Sequence, residues 1–192
     1  MGGVLSQMLA AKLNANGQQG IRAIAIVTSA APAPLFPIRL VSIPGVIRNL
    51  LRWAFWRKPF SLSRREGKYL IFNKMHEPQR SELAEKLIPE SGRIVTQLSF
   101  APITRKRSPA FVAPEALNCP ALSLAGQKDR TVPIGVSRRI ARYYGRNIEY
   151  RELSQHGHWP LGEEGWEYVA NEIQVWIREQ LKPPQPAMMV ES

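Results

Sequence analysis

The sequence is poor in the residues from which stapled or metal-built domains are made. It has one cysteine in 192 residues, Cys119, which excludes an internal disulfide framework and any cysteine-rich metal site. Histidine occurs three times and aspartate once, at Asp129. No apolar run approaches the ~20 residues of a spanning helix. The longest stretches, 21–27 and 35–46, are too short or are broken by proline and arginine. The start lacks the basic region of a secretory leader, and Gly2, Gly3, Ser6 and Gln7 interrupt any apolar core of one. The expected location is therefore the cytoplasm, with no stable membrane insertion. Met1–Ser6 also matches the pattern of an N-myristoylation site, although its glycines have a second use given below. There is no internal repeat.

What is present is ordinary for a globular domain: 44% hydrophobic and 21% charged residues, enough chain for one real core. The net charge is +11. Basic residues run from Lys12 to Lys182, with small clusters at 52–58, 64–68 and 105–107. A nucleic-acid binder concentrates charge on one face and adds a recognisable module. No such module is visible, so no nucleic-acid partner is expected. A basic nucleic-acid or membrane-surface protein stays as an alternative reading.

The pattern of apolar residues divides the chain. Leu5, Met8, Leu9 and Leu13 sit at helical spacing, predicting a helix over 1–15 that ends at Asn16-Gly17. Residues 21–27 read as a strand of a parallel sheet, buried on both faces. Prolines 32, 34, 37 and 44 then follow closely. A helical pattern carrying Trp53, Phe55 and Trp56 spans 46–56, two polar helical stretches follow at 63–75 and 78–88, and 104–109 is a basic, proline-ended connection. Residues 38–110 are accordingly read as an inserted helical subdomain. Beyond it come a strand at 121–125, a helix at 134–144, a strand at 147–153 and an amphipathic helix at 162–181, stopped by Pro183-Pro184 ahead of a loose tail. The predicted class is α/β: three parallel strands (about 21–27, 121–125 and 147–153) with flanking helices, a core formed by 1–37 and 111–192, and the insertion between.

Asp129 lies just beyond the second core strand and His158 just beyond the third. Active-site groups in parallel sheets gather at the carboxyl ends of strands. A carboxylate and an imidazole on neighbouring loops there can form an orienting pair, in which the acid fixes the tautomer of the base. A turn-forming role for Asp129 is the competing reading. His76 and His156 read as solvated surface residues. His156 and His158 are two apart with no third ligand nearby in sequence, so no metal is expected. Cys119 reads as a small buried hydrophobe. Ser137 lies within a helix and lacks the second glycine of a nucleophile elbow.

The order of these pieces resembles the α/β-hydrolase family. Pro120-Ala121-Leu122-Ser123-Leu124-Ala125-Gly126-Gln127-Lys128-Asp129-Arg130-Thr131-Val132-Pro133 is similar to the family's segment with the triad acid. Gly157-His158 followed by an amphipathic helix is similar to its histidine segment, and Glu90-Ser91-Gly92-Arg93 resembles a stretch in the cap of some members. Members with a serine nucleophile often carry Gly-x-Ser-Met-Gly-Gly at the elbow, and Met1-Gly2-Gly3 resembles its last part. The resemblance implies an incomplete α/β-hydrolase fold of the serine-nucleophile type with a helical cap over 38–110, beginning just after the nucleophile. Asp129 and His158 would be catalytic, and Met1, Gly2 and Gly3 a remnant of the elbow and oxyanion hole. Trp53, Phe55 and Trp56 would line the substrate site, or else pack the cap onto the core. The expected function is hydrolysis of an ester-like or other small apolar acyl or carbonyl substrate, without cofactor. The fragment alone should be inactive and could associate through an exposed sheet edge. The alternative is a degenerate, non-catalytic hydrolase acting as a binding protein. In the first reading the Asp129 carboxylate lies roughly 2.6–3.2 Å from the His158 ring, and the Met1 end of the first helix points at the pair.

Overall fold

The structure, a computed structural model, describes residues 1–16, 20–37 and 40–182. The expected loose tail after Pro183 and the stop at Gly17 lie outside the described residues. Three strands form one parallel sheet in the order β1 (Ile24–Val27), β2 (Ala121–Gly126), β3 (Glu149–Leu153). The register pairs Ile24 with Ala121 and Leu122 with Glu149. The central strand β2 is buried along its whole length, as a strand covered on both faces must be. β1 and β3 are edge strands. β1 buries Ile24 and Ile26 but leaves Ala25 and Val27 half-buried, so the expectation of burial on both faces holds only in part. It is also shorter than 21–27, because pairing starts only where the Ile24 N–H bonds the Pro120 carbonyl. β3 starts at Glu149 rather than 147, since residues 145–147 form a 3₁₀ turn.

Helices cover both faces. α1 (Gly2–Ala15) lies on one, and its register was not the one the leucines suggested. Val4, Gln7 and Ala10 are buried, whereas Leu5 and Leu9 are exposed. A buried polar chain decides this. The Tyr144 hydroxyl donates to Gln7 Oε1 at 2.7 Å, and Gln7 Nε2 donates to Ser29 Oγ at 3.0 Å and to the Gly3 carbonyl at 2.9 Å. Every polar atom of Gln7 is thereby satisfied in a place where an unmet one would cost about 1–3 kcal/mol.

Between β1 and β2 the described chain forms short helices joined by turns, with isolated bridges at Ala33–Phe111 and Phe60–Glu90 but no strand. It runs through α2 (Ile43–Leu50), α3 (Arg64–Leu70), α4 (Gln79–Glu85), α5 (Gly92–Ser99) and the short α6 (Ala101–Thr104). α3 is started by a capping box, Ser63 accepting from the Glu66 N–H while the Glu66 carboxylate accepts from the Ser63 N–H. α7 (Ile134–Tyr144) then joins α1, packing Val136 and Ile140 against Ile24 and Ile26. α8 (Trp166–Leu181) covers the opposite face, where Val169 and Trp176 meet Leu122, Leu124 and Leu153. Each such fully buried aliphatic side chain contributes about 1.5–3 kcal/mol. Among the described residues no helix is long and apolar enough to cross a membrane.

Candidate active site

The carboxyl ends of β2 and β3 each release a short loop, and the two loops are zipped together. The Gln127 N–H donates to the Leu153 carbonyl at 3.0 Å and the Lys128 N–H to the His156 carbonyl at 2.9 Å. The contact is close enough to require glycine: a Cβ on Gly126 would lie 2.1 Å from the Gly157 carbonyl oxygen and 2.6 Å from that of His156. Backbone cannot move aside as a side chain can.

This zipping brings Asp129 and His158 together. Oδ2 of Asp129 meets Nδ1 of His158 at 2.8 Å. Its other oxygen, Oδ1, accepts the Thr131 and Val132 N–H groups at 2.7 and 2.8 Å. Asp129 thus builds its turn with one oxygen and meets the imidazole with the other. A carboxylate on Nδ1 makes that nitrogen the donor and leaves Nε2 as an acceptor. The Asp129 side chain is buried, whereas that of His158 is partly open.

His158 is held from two further sides. Thr28, directly after β1, donates its hydroxyl to the His158 carbonyl at 2.9 Å. Its φ is +47°, a left-handed conformation that is strained for a β-branched residue. Glu163 is buried beneath the loop. Its Oε2 accepts the Gly157 N–H at 2.7 Å and faces His156 Nδ1 at 3.2 Å, while Oε1 accepts the Trp159 N–H at 3.3 Å. Sequence reasoning missed both residues. Glu163 had been assigned to the start of the last helix. α8 instead begins at Trp166, after Gly165 turns the chain at φ +81°, because Glu163 is drawn down into the histidine loop. The sequence offers only a pair of acids, Glu163 and Glu164, between Gly162 and Gly165, and does not say which of the two turns inward.

The other candidates fall as follows. His156 is buried against Glu163, not solvated as expected; the carboxylate gives it a partner that surface exposure would otherwise supply. His76 is exposed, beside Glu164. Ser137 is buried inside α7 and Cys119 is buried, its thiol raised by burial. Among the described residues no three histidine, cysteine or acidic groups cluster as metal ligands would.

The α1 start lies at the same end of the sheet. A Cβ on Gly3 would sit 2.3 Å from Ser29 Oγ, so α1 approaches the end of β1 only because residue 3 is glycine. Gly2 faces open space. Burial lowers the Met1 amine below its ordinary range, and the carboxylate of Glu90, in the helical segment 38–110, opposes this. An apolar cavity of about 170 Å³ lies between that segment and the sheet. Thr131 and Val132 line one side, and Val46, Leu50, Phe60, Val95 and Leu98 line the other. Ser42 also lines it, with a buried hydroxyl that has no partner among the described residues. None of Trp53, Phe55 and Trp56 lines this cavity. Phe55 packs on Trp56 and Phe100, Trp53 is exposed, and Trp56 borders a shallow groove beside Glu90.

No family model matches the sequence, and no curated protein matches it. Solved structures do. A 2-hydroxy-6-oxo-6-phenylhexa-2,4-dienoate hydrolase from Rhodococcus sp. strain RHA1 superposes with a TM-score of 0.51 at 18% identity, covering 93% of this chain and 61% of its own. A serine hydrolase from the polyaromatic-hydrocarbon-degrading Cycloclasticus zankles gives 0.58 at 18% identity, over 95% and 63%. A thermophilic esterase from Thermogutta terrifontis gives 0.55 at 18%, over 94% and 63%. The three strands and their helices are thus part of an α/β-hydrolase fold. The chain spans about three fifths of the length of these proteins.

Proposed function

We propose that this chain carries the acid and the base of a serine-hydrolase triad, Asp129 and His158, acting on a small apolar acyl or carbonyl substrate without a cofactor. The single observation that carries the reading is the 2.8 Å contact of His158 Nδ1 with a buried carboxylate whose other oxygen is tied to two backbone N–H groups. In this reading Nε2 takes the proton of an attacking hydroxyl and returns it to the leaving group, while Asp129 stabilises the imidazolium. The hydroxyl belongs to a serine directly ahead of Met1, outside the 192 residues. The N-terminal end of α1 then supplies oriented N–H groups and positive potential for the oxyanion. Residues 38–110 act as the cap. The 170 Å³ cavity takes the acyl group, with the Ser42 hydroxyl as its polar point.

The test uses a fluorophosphonate probe and a short-chain activated ester. The 192-residue chain is expected to show neither labelling nor turnover. A longer product read in frame from upstream of Met1 is expected to show both, with turnover abolished by His158→Ala. Labelling of the 192-residue chain itself would place the nucleophile within it. A longer product that carries no serine at that position, or that turns over equally well as His158→Ala, would end the hydrolase reading.

A further inference from the structure

The molecule's positive charge is not spread through the fold. Residues 38–110 hold 15 of the 26 lysines and arginines but only 5 of the 15 acidic residues. That is a net +10 out of +11, so the sheet and its own helices are close to neutral. The same segment presents unpaired apolar surface. Leu40, Pro44, Ile47 and Leu51 recur at helical spacing along α2 and its flanks, and all four are exposed. Leu40 is 85% exposed and Leu51 78%, and Trp53, two residues on, is 86% exposed. On a helical projection this stripe lies opposite Ser42, Gly45 and Asn49, the face that α2 buries. It also points away from the side that Val46 and Leu50 turn to the cavity. It therefore faces outward and is not the seam between the helical segment and the sheet.

Basic groups frame the stripe. Arg57 and Lys58 follow it directly and share a groove with Trp56, Arg93 and a single acid, Glu90. Among the described residues Arg57, Lys58 and Arg93 form no ion pair within the molecule. No acidic residue occurs before Glu66. Exposed leucine, isoleucine and tryptophan side by side with unpaired cations are the chemistry of an interfacial helix, in which the apolar residues enter the acyl boundary while the cations meet lipid phosphates. A nucleic acid would use the cations but offer nothing to Leu40, Ile47 and Leu51.

We propose that the α2 face, Leu40 to Lys58, docks peripherally on an anionic lipid bilayer. The test is co-sedimentation of the 192-residue protein with vesicles of phosphatidylcholine alone or mixed equally with phosphatidylserine. Binding to the mixed vesicles is expected to be at least about tenfold stronger and to fall as salt is raised. The double variant Leu51→Asp with Trp53→Asp changes only exposed positions. It is expected to keep the wild-type circular dichroism and melting while losing about tenfold in vesicle binding. Brominated acyl chains should quench tryptophan fluorescence in the wild type and markedly less in Trp53→Ala. Equal affinity for both vesicle types, no binding, or binding unchanged in the double variant would overturn the proposal. So would salt-sensitive binding to duplex DNA without binding to vesicles, or self-association that the double variant abolishes without any vesicle binding.

Discussion

Two glycines of the candidate site make opposite demands. A Cβ at Gly126 meets two carbonyl oxygens of the histidine loop, so Gly126→Ala is expected to destabilise by about 2 kcal/mol or more in urea unfolding. At Gly2 a Cβ meets nothing within 4 Å on a helical backbone, so Gly2→Ala should be neutral or stabilising by up to about 1 kcal/mol in the same assay. Glu163 is a third sensitive point. Replacing it by Gln sets a donor amide against the Gly157 or Trp159 N–H, or against His156. The expected loss is about 1–3 kcal/mol, together with altered imidazole signals of His158 in nitrogen NMR; an unchanged midpoint and spectrum would show the carboxylate to be dispensable. Asp129 and His158 were singled out in the sequence because each follows a predicted strand, the first apolar (121–125) and the second charged (147–153), and loops at strand ends are where such groups gather. Glu163 and Thr28 were not. Their roles rest on hydrogen bonds to backbone that a residue pattern does not encode.

Between elements, polar side chains at β3 set how α7 and α8 attach. Arg138 of α7 holds Glu152 of β3 through two contacts, at 2.7 and 2.9 Å. That hydrogen-bonded pairing, with help from Gln127 and Tyr150, brings the Glu152 carboxyl down to about 2, against the burial that works to raise it. The folded form therefore binds this proton more weakly than the unfolded chain does. The resulting stability is fully present above the ordinary carboxylate range and is lost as pH falls from about 4.5 towards 2. Stability measured against pH should fall less steeply over this window in Glu152→Gln; identical profiles would remove Glu152 as the cause. Helix α7 was read from the sequence with its observed bounds, since nothing competes with its apolar spacing. α1 was read as a helix too, but its leucines pointed to the wrong side. Gln7 looks like a surface residue until Tyr144 and Ser29, distant in sequence, surround it.

At the scale of the molecule, two apolar features are uncovered among the described residues: the free edge of β1 and the exposed Leu5 and Leu9 of α1, the helix that packs on β1. An unpaired parallel edge beside uncovered leucines favours self-association. Sedimentation velocity is expected to show concentration-dependent association that Leu5→Glu with Leu9→Glu reduces. A monomer at all concentrations would count against it. The helical character of the described chain between β1 and β2 was legible because proline-broken helical patterns differ visibly from the apolar strands on either side. The excess of positive charge in 38–110 is a count along the sequence and is legible there too. Asp129 and His158 both lie C-terminal to that segment, on loops joined to each other by backbone hydrogen bonds. The segment reaches them through Asn73, which donates to the Lys128 carbonyl, and Leu70, whose carbonyl accepts from Thr131. A protease nick in its exposed connections would therefore leave Asp129 and His158 on one uncut polypeptide, still in register. The helical segment could accept sequence changes, loop grafts or new chain ends at those connections without redesign of the Asp129–His158 pair.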